Sequence, residues 1–300
     1  MKILLFGKNG QVGWELQRSL APLGELIALD VDSTGLCGSF TNPDGLAQTV
    51  RAVAPDVIVN AAAHTAVDKA ESEAELARAI NALAPGVLAR EAQRGNAWLV
   101  HYSTDYVFDG SAEKPWLETD ATAPLSVYGA TKLEGEQLIQ QSGCRHVIFR
   151  TSWVYGARGG NFAKTMLRLA QERDGLNVID DQIGAPTGAD LLADITAHAI
   201  RMARQRVEVS GLYHLAAAGE TSWHGYASFV IEFARKAGTP LKIAPDAVRP
   251  VPTSAFPTPA KRPHNSRLNT AKLHNTFDFH LPHWQAGVER MLTEILERQS

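Results

Sequence analysis

Tyr128 and Lys132 stand four residues apart in Tyr-Gly-Ala-Thr-Lys, a spacing that puts both side chains on one face of a helix. Upstream, Ser103-Thr104-Asp105 closes a β-rich run and offers a hydroxyl. A phenol, an ammonium and a hydroxyl together suit the reduction of a carbonyl, which leaves an alkoxide that must be protonated as hydride arrives. A free phenol, with a pKa of about 10, is a reluctant donor at neutral pH, and a nearby ammonium stabilises the tyrosinate left behind. Thr104 can hold the substrate oxygen in line. A Tyr and a Lys at this spacing also describe an ordinary surface pair on a helix, so the reading depends on a hydride donor being held nearby.

Gly7, Gly10 and Gly13 in Gly-Lys-Asn-Gly-Gln-Val-Gly follow the first apolar run and open a helical pattern. Each glycine has a separate use: a tight turn, close approach of backbone to a pyrophosphate, and close packing of helix on strand. The helix N-terminus behind them offers free N–H groups to phosphates. Asp30 ends the second strand about 20 residues on, where an acid takes the ribose hydroxyls of a dinucleotide. Its charge argues for NAD over NADP, although nearby Lys8 offsets it. The small-residue run Asn60-Ala-Ala-Ala63 ends another strand at the same sheet edge; a tightly packed helix start is the alternative.

The elements that must position these groups alternate in the first half. Strands are expected near Lys2–Phe6, Glu25–Leu29, Val57–Asn60, Ala97–Ser103 and His146–Thr151, with helices near Gln11–Leu20, Pro43–Val53, Glu71–Arg94 and Val127–Gln141. That order predicts an α/β protein with a Rossmann-like, doubly wound parallel sheet. Residues 1–150 are expected to form the dinucleotide domain. Residues 151–300 are expected to form mainly a smaller α/β substrate domain, with some segments returning to the first.

Helices in the second half are expected near Asn161–Glu172, Leu191–Arg204 and Ser222–Ala237. Five prolines between Arg249 and Pro263 predict an extended loop, neither helix nor central strand. Trp284, Val288, Met291, Leu292, Ile295 and Leu296 share one face of a terminal helix, as core or as a dimer surface.

Among 300 residues, 29 Lys plus Arg against 32 Asp plus Glu give a net charge of −3, without the basic excess that nucleic-acid or membrane-surface binding needs. Only Cys37 and Cys144 are present, so no disulfide framework or cysteine zinc site is expected. No run approaches the roughly 18 apolar residues that span a bilayer, and the first apolar run is too short for a signal peptide. A cytoplasmic location is the expectation.

The glycine rhythm and the Tyr-x-x-x-Lys pair resemble the extended short-chain dehydrogenase/reductase superfamily. Longer strings resemble its branch that acts on dTDP-linked deoxysugars: Asn60-Ala-Ala-Ala-His-Thr-Ala-Val-Asp68, His101-Tyr-Ser-Thr-Asp-Tyr-Val-Phe108, Arg150-Thr-Ser-Trp-Val-Tyr155 and Asp181-Gln-Ile-Gly-Ala-Pro-Thr187. Asn161-Phe162, Arg262-Pro263 and Asn265-Ser266-Arg267-Leu268 extend the likeness almost to the carboxyl end.

The resemblance implies hydride transfer from NADPH or NADH to a sugar C4 carbonyl, with Tyr128 as proton donor, Lys132 lowering its pKa and Thr104 assisting. It implies cofactor contacts at Gly7, Gly10, Gln11, Val12, Gly13, Asp30, Ser39, Phe40, Ala63, His64, Thr65, Tyr102, Tyr128 and Lys132. Thr104, Asp105 and Trp153 would touch the sugar of a dTDP-sugar substrate, and Lys261, Arg262 and Arg267 are candidates for its pyrophosphate. A homodimer with magnesium at the contact is also implied, with Glu15, Asp190 and Glu294 as matching acids; solvated helix charges are the plainer reading of those three.

Two rivals remain. A nucleotide-sugar dehydratase or epimerase shares the fold, but a dehydratase commonly shows Asp-Glu after the Thr, where this chain has Thr104-Asp105-Tyr106. A non-catalytic nucleotide-binding subunit would have no physical need for Tyr128 beside Lys132.

Overall fold

The computed structural model describes residues 1–297. Six strands form one parallel sheet: β1 (Lys2–Phe6), β2 (Glu25–Leu29), β3 (Val57–Asn60), β4 (Trp98–Thr104), β5 (Arg145–Thr151) and β6 (Gly211–His214), in the order β6-β5-β4-β3-β1-β2. Alternate residues feed opposite faces, as the pleat requires. Ile3, Leu5, Val57 and Val59 join one core cluster, while Leu4, Phe6 and Ile58 join the other. Burial on both faces is why these strands read as continuous apolar runs.

The first cluster is covered by α1 (Gln11–Leu20) and α6 (Ala189–Ala203), the second by α2 (Pro43–Val53) and α3 (Ala84–Gly95). Asn42 caps α2, its side chain accepting from Gly45 N at 2.9 Å ahead of Pro43. A third cluster gathers α5 (Phe162–Glu172), α7 (Trp223–Lys236) and α8 (Trp284–Glu297) around the buried Tyr226, Val230, Trp284 and Val288. The apolar face of α8 is therefore core. No helix among the described residues is long and apolar enough to cross a membrane.

Three elements differ from expectation. β6 was not anticipated, because four residues with a glycine and a histidine carry little β signal. Within the proline-rich stretch, Val248–Val251 pairs parallel with Leu176–Ile179 in a two-stranded sheet, where an edge position tolerates Pro250. The expected helix Glu71–Arg94 is broken into Ala74–Arg78, a π-helical turn Ala79–Leu83, and α3. Pro85 has no N–H to donate to the carbonyl four residues back, that of Asn81, and the helix widens there.

That break positions the helix of interest, α4 (Val127–Gln141). A Cβ on Gly135 would lie 2.2 Å from Asn81 O, so only glycine lets α4 approach so closely. On its inner side, Glu136 of α4 accepts from Arg150 of β5 through both oxygens, at 2.9 and 2.7 Å, with both side chains almost wholly buried. Removing one partner strands the other charge away from water. Arg150→Met is expected to cost about 3–5 kcal/mol in urea unfolding. Arg168→Met, which breaks the exposed pair with Glu172, should cost less than about 0.5 kcal/mol.

Candidate active site

The glycine loop turns from β1 into α1 against β2 and β3. Gly7 takes φ +86°, and a Cβ there would lie 2.6 Å from Ala62 N. A Cβ on Gly13 would lie 1.9 Å from Gly7 O, whereas one on Gly10 would meet only Gly7 O, at 3.5 Å. The demands at Gly7 and Gly13 are thus made by the protein itself, while the space before Gly10 is left open. No side chain caps the first turn of α1, leaving its N–H groups for an anion. The residues present therefore fit a dinucleotide pyrophosphate.

Asp30 accepts from Asn9 N at 2.9 Å and from Val31 N at 2.8 Å, which ties it to the glycine loop. Gly38 packs on the Asp30 carbonyl and brings Ser39 and Phe40 close by. Ser39 bonds to Thr41 at 3.0 Å. Phe40 is a core residue, its ring edge-on to Phe6.

A cavity of about 510 Å³ opens at the carboxyl edge of the sheet, lined in part by Gly10, Gln11, Val12, Ala63 and Thr65. Tyr102, Thr104, Asp105, Tyr128, Lys132 and Trp153 complete its expected lining. Gly7, Gly13, Asp30, Ser39, Phe40 and His64 do not line it. His64 pairs through Nε2 with Glu73 at 3.0 Å, and its backbone N–H donates to the Asn81 side chain at 2.8 Å.

Ser126 caps α4 by accepting from Gly129 N at 3.2 Å, which sets Tyr128 in the first turn and Lys132 one turn later. Burial pushes the Tyr128 phenol up to about 12, against a hydrogen bond with Thr104 that lowers it. Burial brings the Lys132 ammonium down to about 8, with the Glu136 charge pulling the other way. Lys132 Nζ donates to Tyr102 O at 2.6 Å and lies 3.3 Å from His101 Nε2. The Tyr102 hydroxyl bonds to Thr196 at 2.6 Å, away from the cavity chemistry. Thr104 donates to Asp105 at 3.0 Å, and burial raises the Asp105 carboxyl to about 6.

Trp153 stacks on Trp223 with ring centroids 3.7 Å apart. Its φ of +48° is costly for a bulky residue. Ser103, from the expected Ser103-Thr104-Asp105 strand end, also lines the cavity, as do Thr151, Ser152 and Trp223, which were not anticipated. Thr151 and Ser152 could have been found from their position at the end of β5; Trp223 arrives by tertiary packing from α7. Among the described residues the buried Ser103 Oγ, Thr151 Oγ1 and Asp105 Oδ2 have no hydrogen-bond partner, so polar ligand groups have places to bond.

The expected cations are mostly engaged. Arg262 binds Asp68 at 3.2 and 2.8 Å, Arg267 pairs with Glu220 at 3.3 Å, and Lys261 is exposed. Glu15, Asp190 and Glu294 do share one cleft of about 240 Å³. Asp190 is bound by Arg290 at 2.7 Å and Glu15 by Arg18 at 3.4 Å. Among the described residues no three His, Cys, Asp or Glu side chains gather to hold a metal.

The family model described as the RmlD substrate binding domain matches residues 1–297. The dTDP-4-dehydrorhamnose reductase of Escherichia coli (strain K12) is 64% identical over 98% of each chain. The chain belongs to the dTDP-4-dehydrorhamnose reductase family. A crystal structure of the reductase from Clostridium acetobutylicum ATCC 824 aligns with TM-score 0.87 at 36% identity, covering 99% of this chain and 100% of that one. The reductase of Bacillus anthracis str. Ames, solved in complex with NADP, aligns with TM-score 0.85 at 35% identity over 98% and 99%.

The glycine geometry separates folding from ligand space in this reductase fold. Gly13→Ala is expected to lower stability by about 3 kcal/mol or more in denaturant unfolding, because backbone must move. Gly10→Ala should cost at most about 1 kcal/mol, as a weaker N-cap.

Proposed function

We propose that the protein reduces the C4 keto group of dTDP-4-dehydro-L-rhamnose to give dTDP-L-rhamnose, using NADPH or NADH. The observation that carries this reading is the single cavity in which the open side of the glycine loop meets Tyr128, Lys132 and Thr104, in a chain 64% identical to a reductase of that name. When bound, the nicotinamide supplies the hydride that adds to C4. Residues 1–150 hold the cofactor and most of the acid/base groups. Residues 151–300 contribute Trp153 and Trp223 on the sugar side.

Gly10, Gln11 and Val12 would hold the pyrophosphate on the uncapped turn of α1, with Asp30 beside the ribose. Ser39 and Phe40 sit next to Asp30 and would bound the adenosine end. Asp30 already spreads its charge over two loop amides, so both nicotinamides remain in the reading. On the substrate side, Thr104 would turn its one hydroxyl proton from Asp105 to the C4 oxygen. The Tyr128 phenol, kept protonated by burial, gives its proton to that oxygen as the carbonyl electrons move onto it. The Lys132 charge then stabilises the tyrosinate. Ser103, Thr151 and Asp105 offer unpaired polar atoms to sugar hydroxyls, and the Trp153 ring offers an apolar face. The enzyme is read as a cytoplasmic homodimer, and no step uses magnesium.

Mixing the protein with dTDP-4-dehydro-L-rhamnose and NADPH, or NADH, should oxidise one cofactor per sugar; no loss of cofactor absorbance at saturating substrate refutes the proposal. Tyr128→Phe should lower turnover by about 10²–10⁴-fold while cofactor affinity is retained. Gly10→Ala should show the converse, cofactor binding weakened at least about tenfold in titration, since a methyl would fill the pyrophosphate space.

A further inference from the structure

Behind the cavity wall, Lys132 meets a pair of buried side chains that the reaction above leaves without a role. His101 on β4 is fully buried, with Nε2 3.3 Å from Lys132 Nζ. Its other ring nitrogen, Nδ1, lies 3.0 Å from Asn60 Nδ2 at the end of β3. Asn60, also buried, accepts from Ala62 N through Oδ1 at 3.0 Å.

These contacts have a fixed direction. A backbone N–H only donates, so the amide atom facing Ala62 must be the oxygen, and the amide nitrogen must face His101. The Nδ1 atom of His101 therefore accepts. A neutral imidazole that accepts at Nδ1 carries its proton on Nε2, and burial holds His101 far below its ordinary pKa. The Nε2–H thus points at Lys132. An ammonium has three donors and no acceptor, so this contact is a hydrogen bond only when Lys132 is the neutral amine. The Tyr102 carbonyl accepts from either form.

We propose that Asn60 and His101 are positioning residues that hold an N–H against Lys132, favour its neutral amine, and thereby set the pH above which the reduction slows. The proposal rests on the reductase reading for its kinetic consequence, though the tautomer it requires is independent of turnover. The other titratable groups about Lys132 are few. Tyr128 precedes it by one turn; Glu136 follows by one turn and favours the ammonium, while Arg150 of β5 holds both Glu136 oxygens. Asp105, after β4, acts on Tyr128. The π turn packed on α4 presents Asn81, which carries no charge and bonds to Thr131 at 3.2 Å.

Two measurements test this. In wild-type protein labelled with ¹⁵N-histidine, the assigned His101 ring should show its proton on Nε2; a proton on Nδ1 overturns the proposal whether or not the enzyme turns over. Asn60→Asp replaces the donor by a carboxylate oxygen, which accepts from Nδ1–H and leaves Nε2 bare to accept from the ammonium. In that variant His101 should switch to the Nδ1–H form, and the basic limb of kcat/KM, expected near pH 8 in the wild type, should rise by at least about one pH unit. A folded Asn60→Asp protein with an unmoved limb would overturn the proposal. Should the variant not fold, the wild-type tautomer still decides. Absence of any reductase activity together with an Nε2–H tautomer would condemn the functional reading and spare the directed pair.

Discussion

The Lys132 ammonium lies at 2% exposure, and a cation taken from water costs several kcal/mol unless protein groups meet it. Much of the molecule follows from that requirement. The Tyr102 carbonyl must sit at the end of β4 to accept at 2.6 Å, and α4 must lie close enough to the sheet for Nζ to reach it. That closeness needs Gly135 against Asn81 O, and the Asn81 carbonyl sits at a π turn because Pro85 cannot donate to it. Glu136 brings a counter-charge one turn away, which itself requires Arg150 from β5. One buried charge thus couples the helix, two strands and a helix irregularity into a single arrangement.

Across the cavity the physical logic changes from charge to shape. Trp153 is held in a left-handed backbone conformation by its stack on Trp223 and by Gly184, where a Cβ would lie 2.7 Å from the Trp153 ring. The strain keeps a flat ring at the wall of the cavity that also holds hydroxyl and carboxyl atoms unsatisfied among the described residues. A rigid aromatic surface facing unpaired polar atoms suits a sugar, which has an apolar face and a hydroxylated edge.

The parts legible in the sequence are those set by local rules. Strands buried on both faces read as apolar runs, so β1 and β3 lie where expected; the half-buried edge strand β2 does too, and the glycine spacing located the cofactor turn because Gly7 and Gly13 each answer a backbone contact. Tyr128 and Lys132 were legible from helical spacing, and Thr104 and Asp105 from a strand end. What was not legible depends on partners distant in the chain. Nothing near Trp223 announces that it will back Trp153. Nothing near Arg262 shows that Asp68 will bind it and engage a candidate phosphate cation. The break at Ala79–Leu83 was hidden because the apolar period runs straight through Asn81 and Pro85. Phe40 packs in the core against Phe6, an outcome its position next to the Asp30 loop does not reveal.

The central claim, that hydride passes from a nicotinamide to the sugar C4 carbonyl in this cavity, is tested most directly by isotope transfer. Turnover of dTDP-4-dehydro-L-rhamnose with NADPH or NADH carrying deuterium at the transferable C4 position, followed by NMR of the product, should place one deuterium at C4 of dTDP-L-rhamnose. A rhamnose product without deuterium at C4, or deuterium retained on the nicotinamide after turnover, would contradict the account.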